Sequence, residues 1–194
     1  MNGKLTNRKK QAIETRNRIY STALDLMYSH GLDNVTVEDI CKEAGVAIGS
    51  FYHYFKSKND IYFEIYKRAD EYFENTVYPE LIDDDSIELI KKFFLYYAEY
   101  NLISGIEIVK MLYNANNKQF ISKDRYMLKL FNDIIIKGQE DGSIVKEYES
   151  SYIVDFFFIT VRGIVYDWCV HDGDYNLESR IKDYTEKLIL IFKV

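Results

Sequence analysis

The chain has 194 residues, 16% of them aromatic (18 Tyr and 12 Phe), and a formal net charge of −6. That length suits one good core or two small ones, and a single proline among nine glycines favours long helices. The acidity argues against a generic nucleic-acid binder. A membrane span is excluded because the longest apolar stretch, residues 153–166, contains Asp155 and Arg162.

Taken in chain order, residues 1–7 are expected to form a disordered arm, with no apolar signal segment in MNGKLTNRKK, which places the protein in the cytoplasm. From about Arg8 to His30, the residues Ile13, Tyr20, Ala23, Leu24 and Met27 share one helical stripe, and Gly31 ends it. Val37, Ile40, Cys41 and Ala44 predict a second helix, capped by Thr36 with Asp39 in its first turn and closed by Gly45, which tolerates the left-handed conformation. A short third helix, about Ile48 to Phe55, buries Phe51 and Phe55, four residues apart. Ile48, Gly49, Ser50, Tyr52, His53 and Tyr54 are left on its other faces. Two helices joined by a glycine turn form a helix-turn-helix, whose second member enters the major groove.

A longer helix is expected from Ser57, its N-cap, to about Asn75. Tyr78-Pro79 and Asp83-Asp84-Asp85 mark a linker, the acidic triplet being solvated charge rather than a cation site. Ser86 is expected to cap a helix to about Asn101. Further helices span about Gly105–Tyr113, Ser122 to Gly138 or slightly beyond, Glu149–His171 and Leu177–Lys193, with Asn176 capping the last. The expected fold is all-α with about nine helices: an N-terminal three-helix helix-turn-helix domain, residues 1–60, and a larger helical domain, residues 61–194. Residues 1–60 hold nine Lys or Arg against seven Asp or Glu, and the rest sixteen against twenty-four. A mildly basic head on an acidic body orients the molecule towards phosphate. Lys4, Arg8, Lys9, Lys10, Arg16 and Arg18 cluster at the first helix, and Lys56 and Lys58 at the exit of the third.

The stretch Gly45-Val46-Ala47-Ile48-Gly49-Ser50-Phe51-Tyr52-His53-Tyr54-Phe55-Lys56-Ser57-Lys58 resembles the signature of the tetracycline-repressor (TetR) family, and the likeness extends over about residues 8–68. Two positions depart from the family pattern. Ala47 stands where a capping Ser or Thr is usual, a loss of about 1 kcal/mol, and Ser50 stands where Thr is usual. The resemblance implies a transcriptional regulator, most often a repressor, that binds double-stranded DNA at a near-palindromic operator as a homodimer. Its DNA-facing set on this chain is Lys10, Thr36, Ile48, Gly49, Ser50, Tyr52, His53, Tyr54, Lys56 and Lys58, with Tyr52 and Lys58 on phosphate.

The last two helices carry an oligomer signal. Leu177, Ile181, Tyr184, Leu188 and Ile191 are spaced four, three, four and three, a heptad-like seam that serves equally as monomer core. The family's four-helix dimer interface implies Phe157, Thr160, Gly163, Ile164, Ile181, Tyr184 and Leu188 as contact residues. The aromatic-rich middle helices imply, by the same resemblance, a pocket for a small apolar or aromatic effector, with Tyr97, Tyr100, Tyr113 and Phe131 lining it and Glu107 as a polar handle.

An enzyme is not expected. His30, His53 and His171 are the only histidines; none forms a metal-ligand motif, and no nucleophile elbow or phosphate loop appears. No cofactor or metal is implied, and Cys41 and Cys169 sit in apolar stripes as buried thiols of a reducing compartment. The competing class is a helical ligand-binding or scaffolding protein without transcriptional control.

Overall fold

The computed structural model describes residues 6–31, 34–82, 85–113 and 117–194, apart from the side chain of Tyr62. Most of the expected N-terminal arm, with Lys4, and Asp83 and Asp84 of the acidic triplet lie outside the described residues. Among these, nine α-helices are present: α1 Asn7–His30, α2 Val37–Ala44, α3 Ile48–Tyr54, α4 Asn59–Tyr72, α5 Ser86–Ser104, α6 Ile106–Leu112, α7 Tyr126–Asp141, α8 Ser150–Val170 and α9 Leu177–Phe192. The one extended pairing among them is an isolated bridge, Ile144 to Lys193. The chain divides into two compact units, residues 1–67 and 68–194. The division therefore falls within α4, whereas residue 60 lies near that helix's start.

Several boundaries differ from expectation, most of them for an identifiable bond. Thr6 caps α1 by accepting the Lys9 N–H. Ser57 does not cap α4. Its hydroxyl donates to the Asp60 carboxylate, which also accepts the Lys56 N–H at 2.7 Å. The α-helical form of α4 stops at Tyr72, and residues Phe73–Val77 widen into a π turn, followed by a 3₁₀ turn at Tyr78–Glu80 that holds Pro79. Asp85, not Ser86, caps α5, accepting the Glu88 N–H at 3.0 Å. Ser86 is buried and donates instead to Asp141 at 2.8 Å.

α7 starts later than expected because its N-terminus is organised from a distance. Asp70 accepts the Met127 N–H at 3.1 Å and pairs with the Arg125 guanidinium at 3.2 Å. The helix then runs through Gly138 to Asp141, slightly beyond that glycine as the sequence allows. A Cβ at Gly138 would meet the Ile144 side chain at 2.7 Å, so this glycine serves close packing and Gly142, at φ +82°, ends the helix. Asn176 caps α9 as expected, accepting the Ser179 N–H at 2.7 Å.

The core of the second unit is an aromatic cluster. Phe93, Phe94, Phe131, Phe157 and Phe158 are each at most 1% exposed. Phe131 lies 4.8 Å from Phe93, 4.9 Å from Phe94, 5.5 Å from Phe157 and 5.6 Å from Phe158, ring centre to ring centre. Such edge and tilted pairings add to the burial of the rings themselves. Both cysteines are buried and free, and burial pushes their thiols upward, Cys169 to about 11.

Candidate nucleic-acid interface

The second and third helices are held by their own termini. Thr36 accepts the Asp39 N–H at 3.1 Å, while the Asp39 carboxylate accepts the Thr36 N–H at 3.0 Å and its hydroxyl at 2.6 Å. A short Asp thus closes the reciprocal capping box that Glu or Gln more often makes. The Thr36 hydroxyl and N–H hold the Asp39 carboxyl below its ordinary range. At the other end, Gly45 adopts φ 63°, ψ 43°. Its N–H donates to Lys42 O, and the Val46 N–H reaches back to Cys41 O at 3.0 Å. This double return turns the chain sharply into α3.

α3 buries one side and opens the other. Phe51 is fully buried, and Phe55, just past the helix, is 3% exposed, their rings 5.7 Å apart. Ile48 and Tyr52 are 46% and 55% exposed. Gly49 and His53 are exposed as well, with Ser50 and Tyr54 half-buried. Ala47 makes no side-chain cap bond to α3, as its methyl requires. No carboxylate occurs from Val46 to Lys58. The unit therefore presents a projecting helix of mixed apolar, hydroxyl and imidazole groups, free of acidic side chains, with lysines at its exit. Lys10 and Lys56 are exposed, whereas the Lys58 ammonium donates to the Val35 carbonyl at 3.1 Å. Thr36 acts here as a helix cap.

One residue of the expected basic cluster has a different task. Arg16 grips Glu64 with both guanidinium nitrogens, at 2.6 and 2.5 Å, and lies 5.2 Å over the Phe55 ring. It ties α1 to α4 and to the buried ring just past α3. Its partner is 48 positions along the chain, and no local pattern marks such a pair.

The residues expected to line an effector pocket are placed otherwise than as one open lining. Phe131 is the centre of the packed cluster. Tyr97 is buried, and its hydroxyl meets that of Tyr113 at 3.0 Å. Tyr100 packs at a tilt against Tyr72, ring centres 5.0 Å apart, and burial pushes its phenol up to about 12. Glu107 is half-buried in the first turn of α6.

Of the seven expected dimer contacts, Phe157, Ile164, Ile181 and Leu188 are buried within the single chain. They pack its own core, as does Leu177 of the seam. Thr160 is half-buried, while Gly163 and Tyr184 are exposed. Together with Ile164 they border a groove between α8 and α9 of about 300 Å³. The solvent-facing stripe of α8 is instead Tyr152, Ile159, Gly163, Tyr166 and Val170, spaced by three, four or seven residues; Ile159 and Val170 are 70% and 62% exposed.

An all-α chain whose first unit projects an acid-free reading helix from a glycine turn is a DNA-binding regulator in class. The chain belongs to the tetR family of bacterial regulatory proteins: residues 19–65 match that family's N-terminal region and residues 89–191 the C-terminal region of YsiA-like proteins. It is 25% identical over 179 residues to the fatty acid metabolism regulator protein of Bacillus subtilis (strain 168), covering 89% of this chain and 92% of that one. It is 24% identical over 187 residues to the HTH-type transcriptional repressor KstR2 of Mycolicibacterium smegmatis, covering 90% and 88%. In structure it resembles the transcriptional regulator FadR from Bacillus subtilis in complex with stearoyl-CoA, with a TM-score of 0.76, 22% identity and coverage of 89% of this chain and 97% of that one. The protein is therefore a transcriptional regulator and not an enzyme, which removes the scaffold alternative. No helix of the described residues is long and apolar enough to cross a membrane.

Proposed function

We propose that the protein is a cytoplasmic repressor that occupies a near-palindromic operator as a homodimer and leaves it when a small, largely apolar effector binds the second unit. The observation that carries the DNA reading is the exposed, acid-free face Ile48–Tyr54 flanked by lysines. Ile48, Gly49, Ser50 and His53 address base edges; Tyr52, Tyr54, Lys10, Lys56 and Lys58 address phosphates, Lys58 by exchanging its Val35 carbonyl for phosphate oxygen. Selection of bound sequences from a random duplex pool tests the reading: one enriched, two-fold symmetric motif is expected, and enrichment of none removes it. Binding should also weaken steeply between 50 and 200 mM salt, as phosphate-contacting cations release counterions, roughly in proportion to the number of contacts. Tyr52→Phe should lower affinity for all sequences alike, whereas Ile48→Ala should alter sequence preference.

Dimerisation is assigned to the solvent-facing stripe of α8 with Tyr184 and Ile191 of α9, since a two-fold operator needs two reading heads. A Cβ at Gly163 would meet nothing within 4 Å in the single chain. Gly163→Leu should therefore leave the monomer's fold intact and weaken association by about 1–3 kcal/mol through overpacking against the partner. Sedimentation equilibrium checks this. An unchanged dimer constant moves the interface off this face.

For the effector, the fatty acid metabolism regulator of Bacillus subtilis and the FadR structure holding stearoyl-CoA favour a ligand with a long apolar part. Release requires that it bind the DNA-incompetent state more tightly than the competent one, since equal affinity shifts nothing.

A further inference from the structure

The second unit contains an arginine whose surroundings are not those of a structural ion pair. Arg162 of α8 is half-buried, and its Nε is shut off from solvent with no hydrogen-bond partner. Among the described residues no carboxylate pairs with it. Its contacts are two rings: the guanidinium carbon lies 4.9 Å over Phe120 and 5.1 Å over Phe158. Those rings belong to a closed circuit. Phe120 packs on Tyr113 at 4.8 Å, the Tyr113 hydroxyl meets that of Tyr97 at 3.0 Å, and the Tyr97 ring returns to Phe158 at 5.9 Å.

A guanidinium partly withdrawn from water without a counter-charge is costly, and ring contacts offset only part of the loss. Buried donors in folded proteins are almost always satisfied, so an unsatisfied one calls for an explanation. The terminal nitrogens, unlike Nε, are not among the buried atoms left without a partner. The charge is therefore fixed in orientation by two aromatic walls and open at its donor fork. A planar fork held in this way matches the two oxygens of a carboxylate or phosphate, which bind it bidentately.

From this geometry we propose that Arg162 is the anchor for the effector's head group, and that the effector is an amphiphile with an oxyanion at one end. This rests on the effector-released reading given above, and adds to it that the ligand is anionic and that Arg162, rather than Glu107, is the polar handle. A carboxylate handle would repel such a head group.

The test compares three eight-carbon probes on the full-length protein by titration calorimetry: octanoate, octyl phosphate and 1-octanol. Wild type should bind at least one of the anions about tenfold or more tightly than octanol, the scale of a charge-assisted bidentate contact. A preference for octanoate points to a free acid as the natural source, and one for octyl phosphate to a phosphate-bearing conjugate. Arg162→Met keeps the apolar stem against Phe120 and Phe158 and should abolish the preference; if it does not fold, Arg162→Gln gives the same comparison. Equal affinity for octanol and the anions, no binding of either anion, or a preference that survives loss of the charge overturns the assignment. Operator affinity with and without each probe separates the two readings. Release by octanol as effectively as by octanoate refutes the anion anchor and leaves effector control standing. Arg162-dependent binding of octanoate that leaves operator affinity unchanged does the reverse.

Discussion

Replacing Arg16 by methionine is expected to destabilise the DNA-reading unit by about 3 kcal/mol, at the lower end of what breaking a buried ion pair does. Glu64 is 7% exposed and Arg16 32%. The substitution strands the Glu64 carboxylate in the interior without that guanidinium, and removes the cation lying over the Phe55 ring. Water reaches Arg16 partly, which holds the effect below the top of the range. Chemical denaturation followed by circular dichroism gives the total, and hydrogen exchange at the amides of α3 shows where it falls. Operator affinity should drop with it, because α3 is held from beneath by this pair. The double substitution Arg16→Met with Glu64→Leu should recover most of the stability, since an apolar pair of similar volume replaces a buried ion pair at little loss. A single-variant loss under about 0.5 kcal/mol would place the pair among ordinary surface bridges.

That pair also shows where the sequence stops being legible. Helix ends were readable where the signal is local: Thr36, Gly45 and Asn176 act within four residues of themselves. Ser57 and Ser86 carry the same local signal, yet neither caps. Ser86 donates to Asp141, 55 residues away, and leaves the cap to Asp85. The start of α7 is likewise set by Asp70, 57 residues before Met127.

The exposed face of α3 was legible because a seven-residue helix with one buried phenylalanine inside it and a second at its C-cap has little choice of orientation. α8 offered no such constraint. It is apolar around most of its circumference, so periodicity identifies its stripes without saying which one the chain's own core covers. Phe157 and Ile164 turned inward, and Ile159 and Val170 outward. Arg162 escaped notice for a related reason: charge count gives the cation but not the missing counter-ion.

Phe131→Ala is expected to destabilise the second unit by about 3–5 kcal/mol, the range for deleting a fully buried phenylalanine. The ring is 0% exposed and in contact with four other phenylalanines. Those neighbours come from α5 and α8, which are anchored elsewhere by their own buried faces, so the site collapses only in part and a void remains. Trp168 is the chain's single tryptophan and lies in the same core cluster, so urea denaturation followed by its fluorescence reports this unit directly. The size of the loss also decides between two roles for Phe131. A ring lining a pre-formed effector pocket already faces open space on one side, and truncating it loses fewer contacts; a loss under about 1 kcal/mol would restore that role. A core ring gives the large loss and, in addition, a new apolar cavity that takes up a benzene-sized compound. Such a compound should raise the melting temperature of Phe131→Ala in a concentration-dependent way, as binding to the folded state alone requires, and leave that of the wild-type chain unmoved.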